Sequence, residues 1–470
     1  MASARIAEMP GSHPVPLGAE PGPRRHLVFA VVSIALFMAS VDQTIVATAL
    51  GALQRDMHAT VNWSSWTITI YALGQIVAMP AAGTISDQFG RKKVFIGAIA
   101  LFTTASLCCG LANDIQTLVA LRAVQALGGG AFMPSATGIV ADQFGRDRDR
   151  AIGLFTSVFP IGGIVGPVLG GIFVTYWSWR GIFLVNVPVG IALLCLAAAF
   201  VPGGSKARAG RLDVTGIALL ATGLLAAMLA VSYLGSATAT PLSVPFIAPL
   251  AAGALALALF FRHSARAAAP FVPLRLLIGR EFAVMNAINF AIGSALLGFG
   301  ALVPLYAQER YHLPTLAAGT LLTARALGMI AVAAVAAFAL RRTGYRMPMV
   351  VGLSIGAVGL ALMAVSPPGF GPYLWLTMAA GLTGIGIGMA LPASNNATLQ
   401  RAPQNTAAVA GLRGMFRQSG GITGISVITA VVARSASPGQ ALAVAFLALA
   451  IALVCLVPAV FLVPDFHGQW

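Results

Sequence analysis

Fourteen times along the chain a run of about 20 to 25 mostly apolar residues ends at a polar or Gly/Pro break, and each run is long enough as helix to cross a bilayer. The runs lie near 27–50, 66–86, 94–112, 117–140, 151–175, 181–201, 213–234, 244–262, 282–306, 315–340, 347–366, 373–394, 407–433 and 440–463. With 58% of 470 residues hydrophobic and only 9% charged, too little polar surface exists to cover a water-soluble globule. The expectation is an all-α polytopic membrane protein with 14 transmembrane helices.

Lysine and arginine accumulate in the short loops that stay in the cytoplasm. Twenty of the 28 basic residues fall in the N-terminal tail and the loops on its side, against four (Arg55, Arg180, Arg310 and Arg434) on the other side. Both termini are therefore expected in the cytoplasm, with the chain in the plasma membrane. Trp63, Trp66, Trp177, Trp179 and Trp375 then all fall at the outer interface, where amphipathic rings prefer to lie.

Polar stretches at 201–213 and 262–281 bracket two spans nearly free of polar side chains. The simplest partition is a cytoplasmic tail (1–26), a six-helix bundle (27–201), an inserted hairpin of spans 7 and 8 (202–266), a second six-helix bundle (267–463) and a second tail (464–470). The turn GTISDQFGRKK (83–93) after span 2 has a counterpart in LRRTGYR (340–346) after span 10, a weak parallel repeat. ADQFGRDRDR (141–150) echoes Asp-Gln-Phe-Gly-Arg after span 4, and its plainest reading is a short basic turn under the same topological constraint.

Several function classes drop out. The net charge of +15 is spread over loops beside anionic headgroups rather than gathered on one domain, so no nucleic-acid partner is expected. Cys108, Cys109, Cys195 and Cys455 all lie within apolar runs and read as small core residues, not as disulfide or metal ligands. All six histidines fall in tails or loops and no span holds paired carboxylates, which argues against a polytopic enzyme. No Gly-x-x-x-x-Gly-Lys loop is present to cradle ATP. No cofactor and no obligate protein partner is expected.

Among the 13 acids only Asp42, in VDQTIVATAL, lies far from a span end, and an acid held inside the membrane marks a functional site by default. It sits roughly 12 Å from the outer end of span 1, and Arg122 sits roughly 8 to 10 Å from the outer end of span 4, so the two share a depth. Either Asp42 carries a proton or binds substrate, tuned by Arg122, or the two form a permanent structural pair. Gln43, Gln75, Gln125, Asn286, Asn289, Arg325, Arg413, Arg417 and Gln418 are further candidates for a cavity wall, although amides in spans also serve as interhelical links. Arg325, roughly 16 Å from the outer end of span 10, has no second-half acid at its depth, so it either reaches Asp42 or faces water and draws a negative group. Arg413 and Arg417, one turn apart near the start of span 13, are expected to snorkel towards the surface. One deep acid against Arg122, Arg325 and Arg417 favours neutral, zwitterionic, anionic or monocationic amphiphiles over dications.

Asp87 ends span 2 with Arg91 four residues on, a pair able to bridge or to hold another helix end and keep an inner gate shut. Arg91, Lys92 and Lys93 would also pin that loop inside, yet charge alone does not require the spacing of Gly83 and Gly90. In span 5, within GGIVGPVLGG, Gly162, Gly166 and Gly170 recur every four residues as a smooth stripe for close helix approach, and Pro167 frees a carbonyl and permits a bend.

Taken in order, these segments resemble the major facilitator superfamily, and within it the fourteen-span drug:proton antiporters. Gly83, Asp87, Gly90, Arg91 and Lys92 match a Gly-x-x-x-Asp-x-x-Gly-Arg-Lys loop, and Arg122, Gln125 and Gly128 match Arg-x-x-Gln-x-x-Gly. Gly162, Gly166, Pro167, Gly170 and Gly171 match the exporter signature Gly-x-x-x-Gly-Pro-x-x-Gly-Gly. Asp42 and Thr44 in span 1, WRGIFLVNVPVG (179–190) and RQSGGITGIS (417–426) extend the resemblance over nearly the whole chain. It implies a major facilitator fold and places Asp42 on the cavity wall. The implied activity is alternating-access export of an amphipathic drug, antibiotic or dye, driven by inward proton flow, with substrate, protons and bilayer as partners. Export of a lipid or endogenous metabolite on the same fold is the alternative.

Overall fold

Among the described residues every regular element is helical. The computed structural model describes residues 24–463 and 465, apart from 60, 204–212, 235–239, 241, 268–269, 271, 366–368, 370, and 401–405. Most of both expected tails, and the basic residues Lys206, Arg208, Arg211 and Arg401, lie outside the described residues.

The first group of helices is α1 (Arg25–Asp56), α2 (Val61–Phe89), α3 (Arg91–Gly110), α4 (Ile115–Phe144), α5 (Arg148–Thr156), α6 (Val158–Tyr176), α7 (Gly181–Leu184) and α8 (Asn186–Phe200). Two follow as a pair, α9 (Val214–Leu234) and α10 (Val244–Arg266). The last group is α11 (Arg275–Ile278), α12 (Arg280–Tyr311), α13 (Thr315–Thr343), α14 (Arg346–Ala364), α15 (Pro372–Gln400), α16 (Thr406–Ala433) and α17 (Pro438–Val460). Eleven helical segments among the described residues are long and apolar enough to cross a membrane. Helices α4 and α16, at 30 and 28 residues, are long enough, but Arg122 and Gln125 in one and Arg413, Arg417 and Gln418 in the other dilute their apolarity.

Two of the expected spans have their helical hydrogen-bond ladder interrupted by proline. Pro160 has no N–H for the Thr156 carbonyl, and the helical hydrogen-bond ladder is interrupted at Ser157, between α5 and α6, although Ser157 keeps helical φ and ψ (−70° and −15°). Likewise Pro188 has no N–H for the Leu184 carbonyl, and α7 gives way to α8 at Val185. Pro167, expected to permit a bend in span 5, lies within α6. The interruption of the ladder comes earlier, at Ser157.

Packing follows the glycines and aromatics. In the first group α1 lies against α6, and α4 against both α2 and α3, around Phe95, Phe102 and Phe132, whose rings meet edge to face or tilted. In the last group α12 packs on α16, and α15 on α13 and α14, around Phe299, Tyr306 and Phe446. Helices α9 and α10 pair with each other, and α9 touches α2 and α16. The main seam between the groups runs where α16 lies along α2 and α4. Large apolar side chains such as Val168, Ile172, Leu255 and Ile451 remain exposed on the outside, the surface that lipid would cover.

One interfacial assignment changes. Trp179 is not a ring at a lipid boundary but is 1% exposed, with its Nε1 donating to Asp56 Oδ2 at 2.9 Å and the Arg180 guanidinium over its face. The nearby acceptor and cation draw the indole into the bundle end.

Candidate functional site

Five helices converge on one carboxylate. Asp42, midway along α1 and fully buried, receives Arg122 Nη1 on Oδ2 at 2.6 Å, and its Oδ1 accepts from Gln125 Nε2 and Asn186 Nδ2, both at 3.0 Å. Arg122, equally buried, also donates from Nε to the Thr67 carbonyl at 3.1 Å and from Nη1 to Gln125 Oε1 at 2.7 Å. Its guanidinium lies over the ring of Tyr71, 3.9 Å from the centroid. Ser106 on α3 ties the amides together, accepting from Gln125 at 2.6 Å and Asn186 at 3.0 Å.

Removing two opposite charges from water costs several kcal/mol per ion unless their remaining lone pairs and protons are satisfied. Here each carboxylate oxygen is satisfied by donors, while Arg122 Nη2 is buried without a partner. All three neighbours donate to Asp42, the pattern of an ionised carboxylate.

The arrangement joins Asp42, Arg122 and Gln125 but leaves out other residues that the sequence suggests. Gln43, next to Asp42 on α1, is half-buried and makes none of these bonds. Gln75 accepts from Gln418 Nε2 at 2.8 Å, a link from α2 to α16 across the seam. Arg325 does not reach Asp42: its Nη1 donates to the Leu296 carbonyl at 2.6 Å and its guanidinium lies over Phe299, within the last group of helices. Arg413 and Arg417 do not snorkel, being 3% and 7% exposed and directed at α15 and α4. Asn186, Ser106 and Tyr71 do not stand out in the sequence. Of these only Asn186 carries a signal there, as the amide in the apolar run GIFLVNVPVG that begins a helix after a break.

The glycine stripe on α6 meets a stripe of small hydroxyl residues on α1. Gly162, Gly166 and Gly170 are buried against Ser40, Thr44 and Thr48, each four residues apart, and a methyl group at any of the three would overlap the facing side chain. Ser40 Oγ donates to the Phe159 carbonyl at 2.5 Å, and Thr44 Oγ1 reaches the Gly162 carbonyl at 3.4 Å. Gly171 lies off the stripe with open space beside it. Thus α1 presents Asp42 to one set of helices and a glycine-complementary edge to another.

At the end of the bundle bearing the basic loops, two carboxylates reach across the seam. Asp87 Oδ1 accepts from Arg91 Nε at 3.3 Å and Nη2 at 3.2 Å, and its Oδ2 accepts the backbone N–H of Ala408 at 3.0 Å, in the first turn of α16. Arg91 is held in turn by the Gly138 carbonyl at 2.6 Å and by an ion pair with Asp142. A side chain at Gly83 would strike the backbone of Ala407, and Gly90, at φ +103°, makes a turn that other residues rarely adopt. Lys92 turns away and donates to the Ala198 carbonyl near the end of α8, at 2.8 Å.

The second carboxylate is Asp149 on α5, which the sequence does not single out. Its Oδ2 accepts from the Tyr345 hydroxyl at 3.2 Å and from Gln400 Nε2 at 3.1 Å, while its carbonyl accepts from Asn396 Nδ2 at 3.0 Å. Burial and the neighbouring Asp149 hold the Tyr345 phenol well above its ordinary pKa, so it remains a donor. Tyr345 follows Gly344, whose φ of +68° matches the positive φ of Gly90 in the equivalent turn of the first half. The weak repeat in sequence thus places each turn at a contact between helix groups.

Residues 32–425 match the sequence profile of the Major Facilitator Superfamily. The chain is 31% identical over 407 residues to the multidrug resistance protein B homolog of Mycobacterium tuberculosis, spanning 86% of this chain and 75% of that one. It is 32% identical over 370 residues to an uncharacterized MFS-type transporter of the same organism, over 78% of this chain but only about half (53%) of the relative's length. The fold is similar to that of the human organic anion transporter MFSD10, with a TM-score of 0.69 at 15% identity over 93% of this chain and 100% of that one. The chain is a multi-pass helical membrane protein and belongs to the Major Facilitator Superfamily.

Proposed function

We propose that this chain is a proton-coupled secondary active exporter of amphipathic organic compounds that works by alternating access from the plasma membrane. The observation that carries the reading is the Asp42–Arg122 pair, fully buried in the helix bundle and hydrogen-bonded by Gln125 and Asn186. A carboxylate that trades its guanidinium for a proton can link proton entry to a rearrangement of the helices around it. The names of the similar multidrug resistance proteins support an amphipathic substrate.

In this reading the chain has fourteen spans, with α4, α13 and α16 counted beside the eleven apolar segments and both termini in the cytoplasm. A six-helix bundle (27–201), an inserted hairpin (202–266) and a second six-helix bundle (267–463) make up the membrane body. The bonds of Asp87 and Asp149 across the seam hold the cytoplasmic end shut, and the α1–α6 stripe is the surface on which the first bundle flexes.

The test is efflux from everted vesicles with and without an imposed proton gradient. Asp42→Asn is expected to abolish gradient-driven efflux while the protein still inserts. Because the amide leaves Arg122 buried without a counter-charge, the double variant Asp42→Asn/Arg122→Gln serves where the single one fails to fold, and it too should lose coupling. Drug accumulation at the wild-type rate by either variant would falsify the assignment of Asp42 as proton carrier.

A further inference from the structure

Two guanidinium groups sit at the seam without a carboxylate. Arg413 and Arg417, one turn apart on α16, are 3% and 7% exposed, and none of the ion pairs among the described residues includes either. Their partners are poor. Arg413 Nη1 reaches the Asn395 carbonyl only at 3.5 Å and its Nε has no partner, while Arg417 Nη2 rests on the Met133 thioether sulfur at 3.3 Å. Beside them Asn395 is fully buried on α15, with neither its amide nitrogen nor its amide oxygen hydrogen-bonded. The two cations are close enough for their charges to repel.

Such a cluster has donors in excess, its one unused acceptor being the neutral Asn395 amide oxygen, and no carboxylate offsets the cost of the two buried charges. Paired guanidinium forks select planar or tetrahedral oxyanions. The placement adds a second constraint. Met133 on α4 and Phe159 on α6, whose ring centroid is 5.8 Å from the Arg417 guanidinium, belong to the first helix group, so the cluster faces the seam that alternating access must open. A soft thioether and an aromatic ring beside two cations suit an apolar body carrying one acidic group.

We propose that Arg413, Arg417 and Asn395 bind the acidic group of an anionic amphiphile, a carboxylate, sulfonate or phosphate monoester, and that such compounds are substrates of this transporter. The proposal rests on the exporter reading above and names its substrate class. The acidic group enters between the guanidinium forks with Asn395 as an additional donor, and the apolar body lies along Met133 and Phe159.

The probe is a fluorescent dye bearing one carboxylate, compared with its neutral carboxamide, using the full-length protein in proteoliposomes. Arg413→Gln and Arg417→Gln are each expected to lower transport of the carboxylate dye by about tenfold or more, the worth of one charge-assisted hydrogen bond. The carboxamide should change by no more than about twofold, and Arg417→Lys should recover part of the loss. Equal loss for both dyes would assign the arginines to structure alone, and no loss for either would remove them from the site; either result overturns the proposal. Equilibrium binding of the dye to detergent-solubilised protein needs no gradient. Arginine-dependent binding by a protein that moves neither dye on a gradient would sink the exporter reading while keeping the site, whereas gradient-driven carboxamide export without arginine-dependent dye binding does the reverse. In a separate arm, thermal stability is compared in phosphatidylglycerol and phosphatidylcholine vesicles. An arginine-dependent gain from phosphatidylglycerol, with dye transport indifferent to both variants, would assign the site to a lipid headgroup and overturn the substrate class.

Discussion

At the scale of single residues, a charged carboxylate in the membrane needs a donor for each lone pair it exposes, and Asp42 finds its donors on α4 and α8. Arg122 and Gln125 come from one turn of α4, but Asn186 comes from the start of α8, so protonation of Asp42 would loosen a helix outside the α1–α4 pair. Asn186→Ala removes a hydrogen bond to a charged group, worth about 1.5 to 3 kcal/mol, and is expected to slow gradient-driven efflux by about tenfold or more while the Asp42–Arg122 pair and membrane insertion persist. Efflux at the wild-type rate would place Asn186 among the structural amides. Part of this site is legible in the sequence alone. Asp42, Arg122 and Gln125 stand out because a charge or its companion amide is rare in an apolar run. Asn186 does not, because one amide in a span has the same sequence signature whether it steadies a carboxylate or merely links two helices. Burial of Arg413 and Arg417 is equally hidden, since their distance from the span end fits snorkelling and only the position of α15 and α4 forbids it.

At the scale of helices, the glycine spacing in span 5 reads as a smooth face, and the structure supplies its partner, the Ser40, Thr44 and Thr48 edge of α1. The position of the break is not readable, because Pro160 and Pro167 are both prolines in one apolar run. Only Pro160 coincides with an interruption of the hydrogen-bond ladder, at Ser157, while α6 runs on through Pro167. The same α1 that carries Asp42 on one side therefore packs closely against α6 on its other side. Gly166→Leu would drive a branched side chain into Thr44, and overpacking of this kind costs about 1 to 3 kcal/mol, so turnover should fall at least tenfold with expression retained. The control is Gly163→Leu, one helix face away with open space beside it, which should transport normally. If both variants transport alike, close contact between α1 and α6 is not part of the cycle.

At the scale of the whole molecule, the two helix groups meet through polar bonds at one end and through Gln75–Gln418 and the arginine cluster further in. Half of this end is visible in the sequence. The loop at 83–93 declares itself by its glycines and charges, but the contacts of Asp149 link residues 196 and 251 positions apart, and nothing local distinguishes its turn from an ordinary basic loop. The structure gives the two acids matching duties: Asp87 holds the start of α16, and Asp149 holds the α13–α14 turn and the end of α15. If both fasten the same seam, releasing one should leave the other in place, and releasing both should open it. Asp87→Asn and Asp149→Asn are therefore expected to shift the population modestly when made singly and by more than the sum of their effects when combined, each lost charge-assisted bond contributing about 1.5 to 3 kcal/mol. Spin labels at Asp147→Cys and Thr343→Cys, on either side of the seam, would read the opening as a longer distance in the double variant than in either single one. Additive shifts, or none, would mean that the two acids act on separate contacts and that no common latch closes this end, leaving Asp149 with a local role in seating α5 against α15.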